Sequence, residues 1–224
     1  MTAPASAVLH AKLSLLAPAL GAASTDLWRT AAPRPRYLAY LRCMHTVLSA
    51  SVPLLERAVR RCAELPSGDP SAAPLARYYL RHAGEERGHD TWLLEDLAAA
   101  GAAPAALPEP LAVELAGAQY YLLEHHHPVA LLGYIAVLEG NAPAPWLADR
   151  LAASTGLPAA AFRTVREHAA LDGGHLADLA ELLDALPLTP RRQSAVGANA
   201  IRSADLLIQL FRRLARTGFS EGDP

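Results

Sequence analysis

Apolar residues recur along the chain at the three- and four-residue spacing of helix faces rather than in the alternation of strands, and proline and glycine punctuate the runs. Read from these breakers, a short first helix is expected over residues 6–20. A long second helix follows Pro33 and Pro35 and reaches about Leu65, with a kink near Pro53, whose ring removes a backbone donor. After the loop from Pro66 to Pro70, a third helix starts near Pro74, in the first turn where proline is tolerated, and ends before Gly101. Helices are then expected at 110–124 and 128–140, with a short piece near 145–153. A helix opening at Pro158 ends near Leu186, and the last runs from about Pro190 to Gly218. The pattern predicts an all-α fold of about six or seven helices.

Composition strengthens this reading. Alanine and leucine dominate, and aromatic residues make up only 6% of the 224 residues, which favours helix over strand wherever packing does not decide. Helical chains of this length enclose one core, and no composition shift marks a boundary, so one domain is expected over 1–224. Residues 1–30 read as an N-terminal extension with a short helix, and 31–218 as the bundle.

The formal net charge is −2, and the arginines fall in scattered pairs such as Arg60 and Arg61 or Arg212 and Arg213, so no nucleic-acid partner is expected. Cys43 and Cys62 lie on what reads as one helix and cannot reach each other, which points to a reducing compartment. The stretch from Lys12 to Ala23 superficially resembles a leader peptide, but Pro18 interrupts it and the charge before it is minimal. No apolar stretch reads as long and uninterrupted enough to span a bilayer, and a cytoplasmic protein without a membrane partner is expected.

The chemistry concentrates in two matching triplets. His82, Glu86 and His89 stand at offsets of 0, 4 and 7, which on a continuous helix fall in one narrow stripe. His168, Asp172 and His175 repeat those offsets in another predicted helix. A metal held between helices needs side chains converging from one side of each, one or two turns apart. Imidazole with carboxylate suits iron, manganese or zinc, whereas magnesium and calcium sites are built from oxygen. Glu139 ends the apolar segment from Pro128, where an unpaired carboxylate is costly to bury, and reads as the bridge between two ions. A lone histidine on a helix is usually an ordinary core or surface residue, so the weight rests on the repetition. Gly173 and Gly174 beside these ligands weaken the helix by roughly 1 kcal/mol each and mark a close backbone approach or a kink.

Other features carry less. His125, His126 and His127 precede Pro128 and read as a solvated turn. Glu85 leans to the edge of the ligand stripe, while His45 and Glu56 share a face of the second helix and could approach a metal or serve structure. Tyr134, Trp146, Asn199 and Arg202 are pocket candidates by position only.

Four strings resemble a known family: Tyr37-Leu-Ala-Tyr40 leading to His45; His82-Ala-Gly-Glu-Glu-Arg-Gly-His89-Asp90 followed by Asp96-Leu97; Leu132-Gly133-Tyr134 through Leu138-Glu139-Gly140; and Glu167-His168-Ala-Ala-Leu-Asp172-Gly-Gly-His175. They resemble the heme-oxygenase-like di-iron oxidases, or iron-containing redox enzymes, related in fold to TenA and PQQ-synthase proteins. The resemblance covers roughly residues 30 to 215. It implies a single-domain heme-oxygenase-like bundle of about seven helices, with a di-iron site formed by His89, Glu139, His168, Asp172 and His175 plus a further carboxylate. Some members place a glutamate where this chain has His82; others use one at the position of Glu86, and some add one from an earlier helix, for which Glu56 is a loose candidate.

The implied activity is that of an enzyme using two Fe ions and O₂ to oxidise a small organic substrate, amino-acid- or fatty-acid-derived, with room for an external electron donor and a homodimer. Three other classes compete. A TenA-like metal-free hydrolase would need a nucleophilic cysteine and leave the histidines without a task. A true heme oxygenase, with His45 as axial ligand, would leave Glu139 and the second triplet unexplained. A cofactor-independent oxidase like PQQ synthase would use the histidines to bind substrate and O₂.

Overall fold

The computed structural model describes residues 3–216, with Asp172 and Gly173 described by their backbone alone. The described residues form eleven α-helices and two 3-10 turns, with no strand. The helices are α1 (Ala5–Ser14), α2 (Ala17–Trp28), α3 (Pro33–Leu48), α4 (Ser51–Ala63), α5 (Ala72–Glu85) and α6 (His89–Ala99). They continue with α7 (Pro110–His125), α8 (Leu131–Glu139), α9 (Leu147–Thr155), α10 (Arg163–Ala185) and α11 (Pro190–Arg216).

The number exceeds six or seven because three expected helices are each broken in two and the short piece expected near 145–153 is a helix of its own, α9. The expected helix at 6–20 becomes α1 and α2, bent by 53°, with Pro18 in the first turn of α2. The second helix breaks rather than kinks. Pro53 has no N–H to bond the Ser49 carbonyl and its ring crowds that oxygen, so the chain stops at Leu48 and restarts at Ser51. The third breaks at Gly88, whose φ of 93° is left-handed backbone that glycine adopts freely. A 3-10 turn, Ala159–Phe162, takes the place expected for the start of α10. That helix begins where the buried Asp96 carboxylate accepts the backbone N–H groups of Arg163 (2.9 Å) and Thr164 (3.0 Å), in the manner of an N-cap. It then runs unbroken through Gly173 and Gly174.

Two hydrophobic clusters fill the bundle. The larger joins α2, α4, α5, α7, α8 and α11 through residues such as Leu27, Leu54, Leu75, Leu115, Leu132 and Leu207. The smaller joins α3, α6, α9 and the start of α10 through Tyr37, Leu41, Leu93, Leu151 and Phe162. Where α8 crosses α11 the backbones nearly touch: a Cβ on Gly133 would lie 2.7 Å from Ala200 N and closer still to Val196 O. The α4–α5 loop is tied to α11 by Arg192, which donates to the buried Asp69 carboxylate, while Ser71 donates to the same group from its backbone N–H and its hydroxyl.

Taken together, α3 and α4 (Pro33–Ala63) contain a window of mean hydropathy 1.2, enough to cross a membrane by length and composition. This departs from the expectation that no stretch would qualify. The two helices are separated at Ser49–Ala50 and bury Tyr37, Leu41, Val47, Leu54 and Leu55 inside the bundle.

Candidate metal centre

The break before α6 decides how the first triplet is presented. On a continuous helix, offsets of seven residues separate His82 and His89 by about 10 Å along the axis. Here His82 lies in the last turn of α5, Glu86 caps that helix, and His89 opens α6. The triplet is therefore not one stripe of one helix. Its histidines fall on either side of Glu86 and face different partners on α10.

Two groups of donor atoms result, each drawn together within 4.8 Å. One comprises His82, Glu86, Glu139 and His175; the other comprises Glu86, His89 and His168. The imidazoles meet edge to face in pairs, His82 with His175 (ring centroids 4.9 Å) and His89 with His168 (5.1 Å). Glu86 belongs to both groups, whereas Glu139, at the end of α8, belongs only to the first. The geometry thus gives the shared position to Glu86, and the expectation that Glu139 joins the two halves does not match it. Asp172 sits in α10 between the two histidines, and its side chain lies outside the described residues.

The polar partners fit a cation. His168 Nδ1 donates to the Thr164 carbonyl at 2.9 Å, which fixes the tautomer and leaves the Nε2 lone pair free to coordinate. His89 Nδ1 is buried with no hydrogen-bond partner, 3.3 Å from Glu86 Oε1 but out of line with it. Such an orphan is costly unless something absent from the protein completes it. Glu139 lies between His175 Nδ1 (3.0 Å from Oε2) and His82 Nε2 (3.4 Å from Oε1). Burial pushes the Glu139 carboxyl up, but the hydrogen bonds from His175 and His82 outweigh it and hold it down at about 2. The reciprocal bond to Glu139, opposed by burial, raises His175 to about 9. His168 is lowered, chiefly by burial. Two buried carboxylates among four imidazoles, with one nitrogen unsatisfied, are a nitrogen and oxygen donor set that iron, manganese or zinc would complete.

Aromatic rings back these ligands from outside. Tyr78 stacks on His82 at 5.6 Å and Trp92 on His89 at 4.0 Å. Neither was picked out from the sequence, although Tyr78 precedes His82 by four residues and Trp92 follows His89 by three, the spacings that bring helical neighbours together. Glu85 lies outside both groups, 3.4 Å from His82 Nδ1 and 3.8 Å from His175 Nε2, with Arg81 beside it.

A cavity opens beside the donors, about 970 Å³ of atom-free space including its mouth, at the seam of the two hydrophobic clusters. His82, Glu86, Glu139 and His168 border it, and Leu41, Met44, Leu55, Leu93, Ile135 and Phe211 are among its apolar walls. Of the pocket candidates, Tyr134 lines it. The other three do not: Asn199 is buried elsewhere and donates to Gln119 and the Ala130 carbonyl, Arg202 pairs with Glu114 and Asp205 on the surface, and Trp146 is exposed under Arg150. His45 ends α3 away from the cavity, and Glu56 pairs with Arg87. His127 accepts from the Val129 N–H and lies 3.4 Å from Asp69, while His125 and His126 lie against Tyr121.

An all-α bundle with two joined His/Glu groups beside an apolar cavity defines a class of helical proteins suited to holding metal next to a small molecule. The chain belongs to the family of iron-containing redox enzymes, whose model matches residues 38–207. Its fold is heme-oxygenase-like. A protein of unknown function with that fold from Shewanella denitrificans OS217 superposes with a TM-score of 0.75 at 17% identity, over 96% of this chain and 93% of that one. A TenA homolog from Pseudomonas syringae pv. tomato DC3000 superposes with a TM-score of 0.66 at 14% identity, over 92% and 93%. A search of curated protein sequences returns no match.

Proposed function

We propose that this protein is an O₂-dependent non-heme di-iron oxidase or oxygenase that oxidises a small organic substrate in the apolar cavity. The observation that carries this reading is the sharing of Glu86 between two donor groups. A single catalytic ion takes about three protein ligands and keeps a position open. Six described donors in two groups joined by one carboxylate exceed that number and match a pair.

In this reading Glu86, common to both donor groups, would serve both ions, and His82, Glu139 and His175 would hold one of them. His89 and His168 serve the other, with Asp172, midway in register between the α10 histidines, as its carboxylate. Two Fe ions held there would supply electrons to O₂ and the oxidising power for the substrate, with an external donor restoring them. The Thr164 carbonyl holds the His168 ring with Nε2 free to take an ion, Glu85 orients His82 from outside, and the leucine-rich walls exclude water. We place the protein in the cytoplasm, in keeping with its two free cysteines.

A TenA-like hydrolase has less support. Its nucleophile would have to be Cys43 or Cys62, but burial pushes both thiols up to about 12 and neither borders the cavity. Anaerobic titration with Fe(II), metal analysis and exposure to O₂ with absorbance recording test the proposal. About two irons per chain and an optical change on oxygenation are expected; a plateau at one ion or none would sink it.

A further inference from the structure

The cavity wall says what kind of molecule fits. Apart from the donors, its lining is aliphatic and aromatic with a few neutral polar side chains, and among the described residues no lysine, arginine or aspartate lines it. A charged group placed there would lose its hydration without a partner. Of the acids at its end, Glu139 is already engaged with His82 and His175, and in the proposed reading Glu86 would be taken up by the metal pair. Away from the donor residues, a zwitterionic amino acid would find among the described wall residues neither a base for its carboxylate nor an acid for its ammonium group.

Two neutral hydroxyls on the wall, those of Tyr134 and Thr164, are buried without a hydrogen-bond partner, and that of Thr164 lies against the Asp96 carboxylate. Tyr134, from the middle of α8, is 3% exposed, and its hydroxyl is buried without a hydrogen-bond partner. Glu86 is close enough to join burial in raising the phenol above its ordinary range. The Asn141 side chain, by contrast, already donates to the Val137 carbonyl at 2.6 Å. A phenol left unpaired on a cavity wall is a hydrogen-bonding site for whatever enters.

We propose that the substrate is an uncharged, mainly hydrocarbon molecule bearing one neutral hydrogen-bonding group, and that the Tyr134 hydroxyl binds that group. This rests on the cavity being the substrate site of the proposed oxidase. Held by Tyr134, the polar end lies toward Glu86, and the hydrocarbon remainder is left to walls such as Met44, Leu48, Leu55 and Phe211. Tyr134 is thereby a substrate-binding residue.

Calorimetric titration of the full chain, both loaded anaerobically with Fe(II) and after chelator treatment, tests this with 1-hexanol, 1-octanol and 1-decanol against the carboxylates of equal length and L-norleucine. Affinity for the alcohols should rise about fourfold per added methylene, as burial of a CH₂ dictates, in both metal states. Tyr134→Phe, which removes one oxygen and no packing, should weaken every alcohol by roughly two- to tenfold without changing the increment per methylene. Met44→Lys should turn the preference toward the carboxylates. Carboxylates or norleucine binding the Fe(II)-loaded wild type as tightly as the matching alcohol would overturn the proposal, as would a flat chain-length series or unchanged affinity in Tyr134→Phe. Metal content, measured separately, reports on the di-iron reading: alcohol binding by a chain that takes up no iron would leave this inference standing and remove that one.

Discussion

Glu86 meets two demands at once, capping α5 and standing between two pairs of histidines, while Glu139 meets only one pair. Their substitutions should therefore differ in stoichiometry. Glu86→Ala is expected to bring iron content from about two per chain to below one; Glu139→Ala should retain about one, and Glu85→Ala about two, read by metal analysis after anaerobic loading. Equal loss in the Glu86 and Glu139 variants would remove the special place given to Glu86. The Glu139–His175 pair also sets a pH dependence in the metal-free protein. The depressed Glu139 stabilises the fold above its ordinary 4.5, and that contribution is lost as the pH falls toward 2. The raised His175 stabilises it below 6.5, and that contribution is lost as the pH rises through 9. Chelator-treated protein should thus lose thermal stability between about pH 6.5 and 9, and His175→Gln should flatten this limb; a wild-type profile already flat there would contradict the coupling. Because coordination requires a neutral imidazole at His175, metal uptake near neutral pH should release protons.

The helix breaks show what one sequence can tell about its elements. The Gly88 break puts His82 and His89 in separate donor groups, so Gly88→Ala acts on more than stability. Forcing a Cβ into the left-handed region costs roughly 1–2 kcal/mol, visible as a lower denaturation midpoint, and relieving the strain would turn His89 away from His168 and lower iron content. Unaltered metal binding with normal stability would mean that the break is incidental. Gly133→Ala acts on packing: a methyl group between α8 and α11 meets backbone rather than a movable side chain, and overpacking of this kind typically costs about 1–3 kcal/mol. Most helices and both triplets were legible because periodicity and spacing are local properties. The sequence also held the break signals, in Pro18, Pro53 and Gly88, but proline and glycine are tolerated in many helices, and only tertiary packing decides between a kink and a break. The place of Glu86 in both donor groups is hidden for the same reason, since the spacing alone describes one continuous face. The cavity wall was harder still: Tyr134 could be proposed by position, but Met44 and Phe211 look like ordinary core residues until α3 and α11 are placed against α8.

Across the whole molecule, the donor residues come from α5, α6, α8 and α10, which belong to both hydrophobic clusters, so the site sits on the seam that joins them. The helix carrying His168 and His175 is fastened at three heights. Asp96 from α6 caps its start, Arg81 from α5 pairs with Asp178 at 2.8 Å in its second half, and Asp184 near its end accepts the backbone N–H and hydroxyl of Ser6 on α1. The exposed pair contributes little, but the buried Asp96 carboxylate leaves two backbone donors unsatisfied if it is removed. None of these ties links α8 to α10; within the site Glu139 and His175 make that link, and burial opposes the charge on either partner. Metal bound across the seam would replace these hydrogen bonds by stronger contacts to both clusters, and since the unfolded chain offers no such assembled site, binding must stabilise the fold. At a free Fe(II) concentration near 100 times the dissociation constant the gain is about 2.7 kcal/mol, which for a chain of this size raises the melting temperature by roughly 5–11 °C. Anaerobic scanning calorimetry with Fe(II), and with Mn(II) as a redox-inert stand-in, against chelator-treated protein measures it. The shift should shrink in Glu86→Ala and persist in Glu85→Ala. No shift with either ion at saturation would mean that these histidines and carboxylates hold the bundle together by themselves, and that the seam is not a metal site.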